Sequence, residues 1–226
     1  MLLQIPALLD SGQVRSMRAR LDVAAWGDGR MTAGHQSALA KANRQLSQDD
    51  ATARELSEEV LRALERNARF ISGTLPLHVF PPLFNRYEAG MSFGGHVDNA
   101  IRQIPGTPHR VRTDMSATVF LSETGEYDGG ELVIEDTFGT HSVKLAAGDM
   151  VVYPSSSVHR VLPVTRGART AAFLWIQSMI RDDGDRRLLF NLDTSIQELT
   201  QSGAKSDTIV QLTACYHNLL RRWGEL

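Results

Sequence analysis

At 226 residues, with 42% apolar and 22% charged positions, the chain can bury a core without disulfide or metal staples and has an ordinary globular composition. A formal net charge of −2 argues against nucleic acid or acidic membrane surfaces as partners, and no apolar run nears the roughly 20 residues of a membrane span. The lone Cys215 excludes an intramolecular disulfide; with no secretory pattern in Met1–Pro6, the expected location is the cytoplasm.

Residues 1–76 read as a helical segment that packs on a core. After Asp10-Ser11-Gly12, apolar Val14, Met17 and Leu21 recur at helical spacing, with Asp10 or Ser11 as the cap. A Gly-rich break at Gly27-Asp28-Gly29 and a polar stretch from Thr32 to Gln48 follow. The spacing predicts a second helix over 49–71, with Leu56, Val60, Leu61, Leu64 and Ala68 on its apolar side.

Residues 77–180 change character. Short β-rich runs (Leu77–Phe80, Ser116–Leu121, Glu131–Ile134, His141–Leu145, Met150–Tyr153 and Ala171–Ile176) alternate with turn signals, among them Asp128-Gly129-Gly130 as a hairpin turn. Many short strands at fairly even spacing predict a sandwich or barrel. Residues 181–226 return to helical spacing. Leu188, Leu189, Leu192, Ile196 and Leu199 form one stripe, and Ile209, Leu212, Tyr216, Leu219 and Leu220 another. Gln201-Ser202-Gly203 breaks them into a helical pair. Cys215 falls within the second pattern and reads as a buried structural thiol. The fold class is therefore mainly β with flanking helices, and apolar faces on the terminal helices are compatible with self-association.

The chemistry resides in His96-Val97-Asp98, with His159 and Arg169 further on. On a strand alternate side chains share a face, so His96 and Asp98 can point into one cavity. Two neutral imidazoles and one carboxylate on one face of a metal leave coordination positions open, the donor set of non-haem Fe(II) oxygenases. A hairpin about Arg166 would pair residue 159 with 173 and put His159 and Arg169 on the same face, where the guanidinium fork suits the far carboxylate of a chelating diacid. Tyr87 is a candidate hydroxyl donor in the pocket, balanced by a plain aromatic core role. His35, His78, His109, His141 and His217 lack partner spacing and read as structural or surface groups. Ser155-Ser156-Ser157 reads as a loop rather than a nucleophile elbow. The basic segment 99–112 (Arg102, His109, Arg110, Arg112) reads as a lid over the site or a solvated hairpin loop.

With these residues in hand the chain resembles the bacterial PKHD-type hydroxylases, dioxygenases related to prolyl hydroxylases. The segments that carry the resemblance begin with Phe93-Gly94-Gly95-His96-Val97-Asp98-Asn99-Ala100 and Arg112-Thr113-Asp114-Met115-Ser116-Ala117-Thr118-Val119-Phe120-Leu121-Ser122. Tyr127-Asp128-Gly129-Gly130-Glu131-Leu132, Leu145-Ala146-Ala147-Gly148-Asp149, Tyr153-Pro154-Ser155-Ser156-Ser157-Val158-His159-Arg160-Val161 and Thr165-Arg166-Gly167-Ala168-Arg169 continue it. The resemblance implies a double-stranded β-helix (jelly-roll) core. It also implies that His96, Asp98 and His159 hold Fe(II), that Arg169 binds the C5 carboxylate of 2-oxoglutarate, and that ascorbate keeps the iron reduced. O2 and a substrate are the further partners; a protein side chain, an amino acid and an iron-chelating metabolite stay open as that substrate. A cupin-type metal enzyme and a non-enzymatic iron and 2-oxoglutarate sensor are the competing readings.

Overall fold

The computed structural model describes residues 1–32, 39–137 and 139–226, so His35 lies outside the described residues. Helix α1 (Ser11–Asp22) starts at Asp10, whose carboxylate accepts from the Gln13 N–H while Gln13 reaches back to the Asp10 N–H. That reciprocal cap satisfies two donors at the helix end, and Val14, Met17 and Leu21 are the residues it buries. The expected helix over 49–71 is two. Helix α2 (Ala51–Arg66) ends at Asn67, which adopts extended backbone and caps α3 (Ala68–Thr74) through its side chain. The break resets the helical phase, so Ala68 is exposed and Phe70 is buried in its stead.

The N-terminal segment also supplies short strands: β1 (Leu3–Ile5), β2 (Gly27–Asp28), β3 (Lys41–Ala42) and β4 (Arg44–Gln45). The main run of strands is β5 (Pro76–Val79), β6 (Leu83–Glu88), β7 (Ser92–His96), β8 (Ile101–Gln103), β9 (Arg110–Arg112), β10 (Met115–Phe120) and β11 (Tyr127–Gly129). It continues with β12 (Leu132–Asp136), β13 (Gly139–Val143), β14 (Met150–Pro154), β15 (His159–Val161) and β16 (Val164–Ser178). One sheet runs β1-β14-β10-β16-β6-β4-β2, with β11 and β5 also paired to the long β16; a second runs β13-β12-β15-β7-β3. Every pairing among the described strands is antiparallel.

Period-two alternation sorts the large sheet into two faces. Met115, Ala117 and Val119 of β10, Met150 and Val152 of β14, and Ala172, Leu174 and Ile176 of β16 pack with the apolar stripes of α1, α2 and α3. Tyr87, Phe120, Val151 and Tyr153 point the other way and meet Leu132, Ile134, Val143 and Val161 from the second sheet. The site lies between the sheets, at the end of this inner layer where polar residues replace apolar ones.

Two turn expectations fail. Residues 159 and 173 do not pair. His159 lies opposite His96 and Ile134 in the second sheet, whereas Phe173 lies opposite Thr118 and Leu83 in the first. The chain changes sheet at Leu162-Pro163, and a proline, having no N–H to give a ladder, suits such a crossing. Asp128-Gly129-Gly130 is not a two-residue hairpin either. Asp128 and Gly129 pair with β16 across a bulge, and the positive φ of Gly129 and Gly130 turns the chain from one sheet to the other.

Helices α4 (Asp183–Gln201) and α5 (Ser206–Trp223) form the expected C-terminal pair. Leu75, Ile180 and Leu189 make its small core with Tyr216, Leu219, Leu220 and Trp223. A pair covered on one side buries only that stripe, so Leu188 is exposed and Cys215 faces solvent, contrary to its reading as a buried thiol. Residues 99–112 form a two-stranded hairpin of β8 and β9. Arg112 at its end pairs with Asp114 and with Glu225 of the C-terminal tail.

Candidate metal and co-substrate site

His96 and His159 are cross-strand neighbours on β7 and β15, with ring centroids 4.2 Å apart. Between them and Phe93 the register slips by one residue at Gly94-Gly95, so Phe93 and His96, three apart, both face the cavity with their rings stacked at 3.6 Å. Close approach favours glycine here. The Gly94 N–H donates to the Ala40 carbonyl, and a Cβ at Gly94 would lie 3.0 Å from that of Ala40. Asp98 lies beyond the end of β7, not on it. Its N–H donates to the Ser155 carbonyl at 3.4 Å, which keeps the carboxylate on the same side as His96.

The ligating atoms of His96, Asp98 and His159 all lie within 4.8 Å of one another. Nδ1 of His96 is 2.8 Å from the Gly94 carbonyl oxygen, and Nδ1 of His159 is 3.0 Å from that of Ser157. A carbonyl only accepts, so each Nδ1 carries the hydrogen and each Nε2 keeps its lone pair. The Asp98 Oδ2 is 3.6 Å from His159 Nε2 and accepts a 2.5 Å bond from Ser116 Oγ. Ser116 gives its proton there, so Ser155 Oγ, 2.7 Å away, is the donor in the bond between the two hydroxyls. Two neutral nitrogens and one braced carboxylate make a donor set that fits Fe(II). Removing the brace should matter: Ser116→Ala is expected to lower metal affinity by about 10-fold or more with little change in fold, checked by metal titration.

Burial, and then the neighbouring His159, pushes the His96 imidazole down to about 4 from its ordinary 6.5. In the unfolded chain His96 takes up its proton as pH falls through 6.5, whereas the folded chain takes it near 4. The unfolded state therefore binds more protons between these values, and the metal-free fold loses stability as pH drops through that window. Denaturant midpoints measured from pH 7 to 4 should show this fall, and His96→Gln should flatten it.

Arg169 is 1% exposed on β16, directly opposite Tyr87 on β6. Its guanidinium lies 5.5 Å from the Tyr87 ring centre and 5.2 Å from that of Phe120, and Nε has no hydrogen-bond partner. No carboxylate pairs with it among the described residues, an expensive state for a buried cation unless an anion arrives from outside. Gly130 admits the arginine stem, since a Cβ there would come 3.2 Å from Arg169 Cδ. Tyr87 is buried, and burial pushes its hydroxyl up to about 12, so it remains a neutral donor. All five predicted residues line one cavity. Phe93, Ser116 and Tyr153 also line it, from motif segments in which they had no assigned role, as do Lys41, Asn85 and Trp175, which lie outside every motif.

The matched families agree with this geometry. Residues 82–177 match the 2OG-Fe(II) oxygenase superfamily, and residues 183–225 match the PKHD-type hydroxylase C-terminal domain. A PKHD-type hydroxylase of Xanthomonas axonopodis pv. citri is 59% identical over 228 residues, covering all of both chains. The chain belongs to the PKHD-type hydroxylase family. A relative from Burkholderia thailandensis is 58% identical, again over the whole of both chains. Among solved structures, a Pseudomonas putida prolyl-4-hydroxylase superposes with a TM-score of 0.52 at 22% identity, covering 78% of this chain and 92% of that one. HygX from Streptomyces hygroscopicus, solved with nickel and 2-oxoglutarate bound, gives 0.51 at 17% identity over 79% and 84%. At such identities these two likenesses establish the shared jelly-roll fold. The chain is thus a 2-oxoglutarate-dependent, iron-using oxidoreductase of hydroxylase type, and the cupin reading falls away. No helix among the described residues is long and apolar enough to cross a membrane.

Proposed function

We propose that His96, Asp98 and His159 hold Fe(II), that Arg169 receives the C5 carboxylate of 2-oxoglutarate, and that Tyr87 donates its hydroxyl to the same co-substrate. The observation that carries this reading is the convergence of two imidazole lone pairs and one carboxylate within 4.8 Å, with a buried, uncompensated guanidinium in the same cavity. When bound, iron and 2-oxoglutarate supply the oxidising chemistry: O2 is consumed, the co-substrate becomes succinate and CO2, and a substrate C–H becomes C–OH.

The protein's own part is positioning. The Gly94 and Ser157 carbonyls fix the imidazole tautomers, Ser116 and Ser155 hold Asp98 in place, and Tyr87 and Phe120 keep water from Arg169. A fork held in low dielectric makes the anion pair stronger than the same pair in water. Ascorbate is the proposed reductant that keeps the iron ferrous, and the proposed location is the cytoplasm, in keeping with the lone Cys215. The substrate is a small metabolite or a protein side chain, with a link to iron uptake among the options. The proposed organisation is a helical N-terminal part (1–76), the oxygenase core (77–180) and a C-terminal appendage (181–226), with exposed Leu188 and Val210 on the appendage supporting self-association through it.

The test is anaerobic titration with Fe(II) and 2-oxoglutarate, followed by admission of oxygen. The expected result is a visible charge-transfer band on binding, then oxygen uptake with succinate formed. Binding without succinate would leave an iron and 2-oxoglutarate sensor as the better description.

A further inference from the structure

The cavity holds more positive charge than one diacid can use. Besides Arg169, Lys41 of β3 and Arg102 of β8 line it. Arg102 lies at a different place from Arg169: its guanidinium sits 3.5 Å over the ring of Trp175, six residues further along β16, or roughly 20 Å of strand. A five-carbon diacid chelating at the triad has one far carboxylate, which Arg169 takes, and that leaves the Arg102 fork for a second anion.

Trp175 is a rigid platform, with Phe80 and Phe173 edge-on to it at 5.4 and 5.5 Å. Stacking occupies a flat face of the Arg102 guanidinium and leaves the N–H edge for a ligand. Its Nε is buried without a partner, and Asp98 is the carboxylate whose charge reaches it among the described residues. Lys41 bonds Gln45 Oε1 at 3.1 Å, and its ammonium lies 5.5 Å from the Phe93 ring centre and 5.9 Å from that of Phe173. Burial first, then the charge of Arg102, lowers its pKa to about 8, so the two cations repel across the cavity. An anion between them would relieve that repulsion. The walls around the pair are the rings of Phe93, Phe173 and Trp175, and the lining residue Val97 is 49% exposed.

We propose that Arg102, with Lys41 across from it, is the anchor for a carboxylate on the primary substrate, whose apolar body lies against Phe93, Phe173 and Trp175. The substrate class is then an amphipathic monocarboxylate. Arg102 sets specificity by binding that group in a forked, charge-assisted pair. This rests on the assignment of Arg169 to the co-substrate, and the test separates the two.

The probes are 4-phenylbutyrate and its uncharged amide, titrated calorimetrically into the protein saturated with Zn(II) and 2-oxoglutarate, and again into the metal-free protein. The expected result is binding of the carboxylate at least about tenfold tighter than the amide in both forms. Arg102→Met, which keeps a stem on Trp175, should erase that preference, Arg102→Lys should restore part of it, and Arg169→Met should leave it in place. Equal binding of the two probes, binding of neither, or an undiminished preference in Arg102→Met overturns the proposal. So does a preference that Arg169→Met removes while Arg102→Met keeps it. If 2-oxoglutarate produces no heat with Zn(II) present, the co-substrate assignment fails instead, and the metal-free titration still judges Arg102.

Discussion

Asp98→Ala is expected to abolish succinate formation, with a loss of at least about 100-fold, while the fold survives. The carboxylate is the one anionic donor in the cluster and supplies the charge that a divalent ion needs beside two neutral rings. Its removal also strands Ser116 and Ser155, whose hydroxyls then bond each other or water, a minor cost in a polar cavity. His96→Ala should act in the same way, with an added loss of ring packing on Phe93. The check is oxygen-dependent succinate release together with a metal titration and a circular-dichroism melt. Normal turnover in a folded variant would remove that residue from the metal site. Asp98→Asn should be nearly as damaging, because it keeps the shape and loses the charge.

How much of this was legible beforehand follows from the range of each physical cause. Helix α1 was readable because its cap and its buried stripe are local: Asp10, Gln13, Val14, Met17 and Leu21 lie within one short stretch. The triad was readable as a motif, yet the geometry assumed for it was wrong in detail. Asp98 is off the strand, and the shared face of His96 and Asp98 comes from a hydrogen bond to Ser155, a residue distant in sequence. The bulge at Gly94-Gly95 was invisible because the residue packed against it, Ala40, comes from a part of the chain distant in sequence.

Arg169 was placed on the correct face for an incorrect reason. The assumed hairpin pairing of 159 with 173 does not exist, because β15 and β16 belong to different sheets. What turns Arg169 inward is parity along β16, where it shares a face with Ala171, Phe173 and Trp175 while Ala172, Leu174 and Ile176 face the helices. Lys41 had no signal at all. It lies in a polar stretch with no periodicity, and only the addition of β3 to the edge of β7 brings it to the cavity. Long-range pairing is the information a single sequence carries least well.

Arg169→Met is expected to weaken 2-oxoglutarate binding by at least about 30-fold while leaving metal affinity unchanged, since deleting one partner of a buried ion pair costs roughly 2–5 kcal/mol. The same substitution should have the opposite sign on the protein alone. Without a ligand the wild-type chain keeps a guanidinium buried beside Tyr87 and Phe120 with Nε unsatisfied, and a methionine of similar reach exchanges that charge for apolar contact. The co-substrate-free variant should therefore melt a few degrees higher than wild type, an increment of order 1 kcal/mol. Adding 2-oxoglutarate should raise the wild-type melting temperature and leave the variant unmoved. Thermal melts of both proteins, with and without 2-oxoglutarate at fixed Zn(II), measure the two effects together. A variant that melts lower than wild type without ligand would mean that Arg169 already has its counter-charge inside the fold, and the cavity would then have no call for an incoming carboxylate.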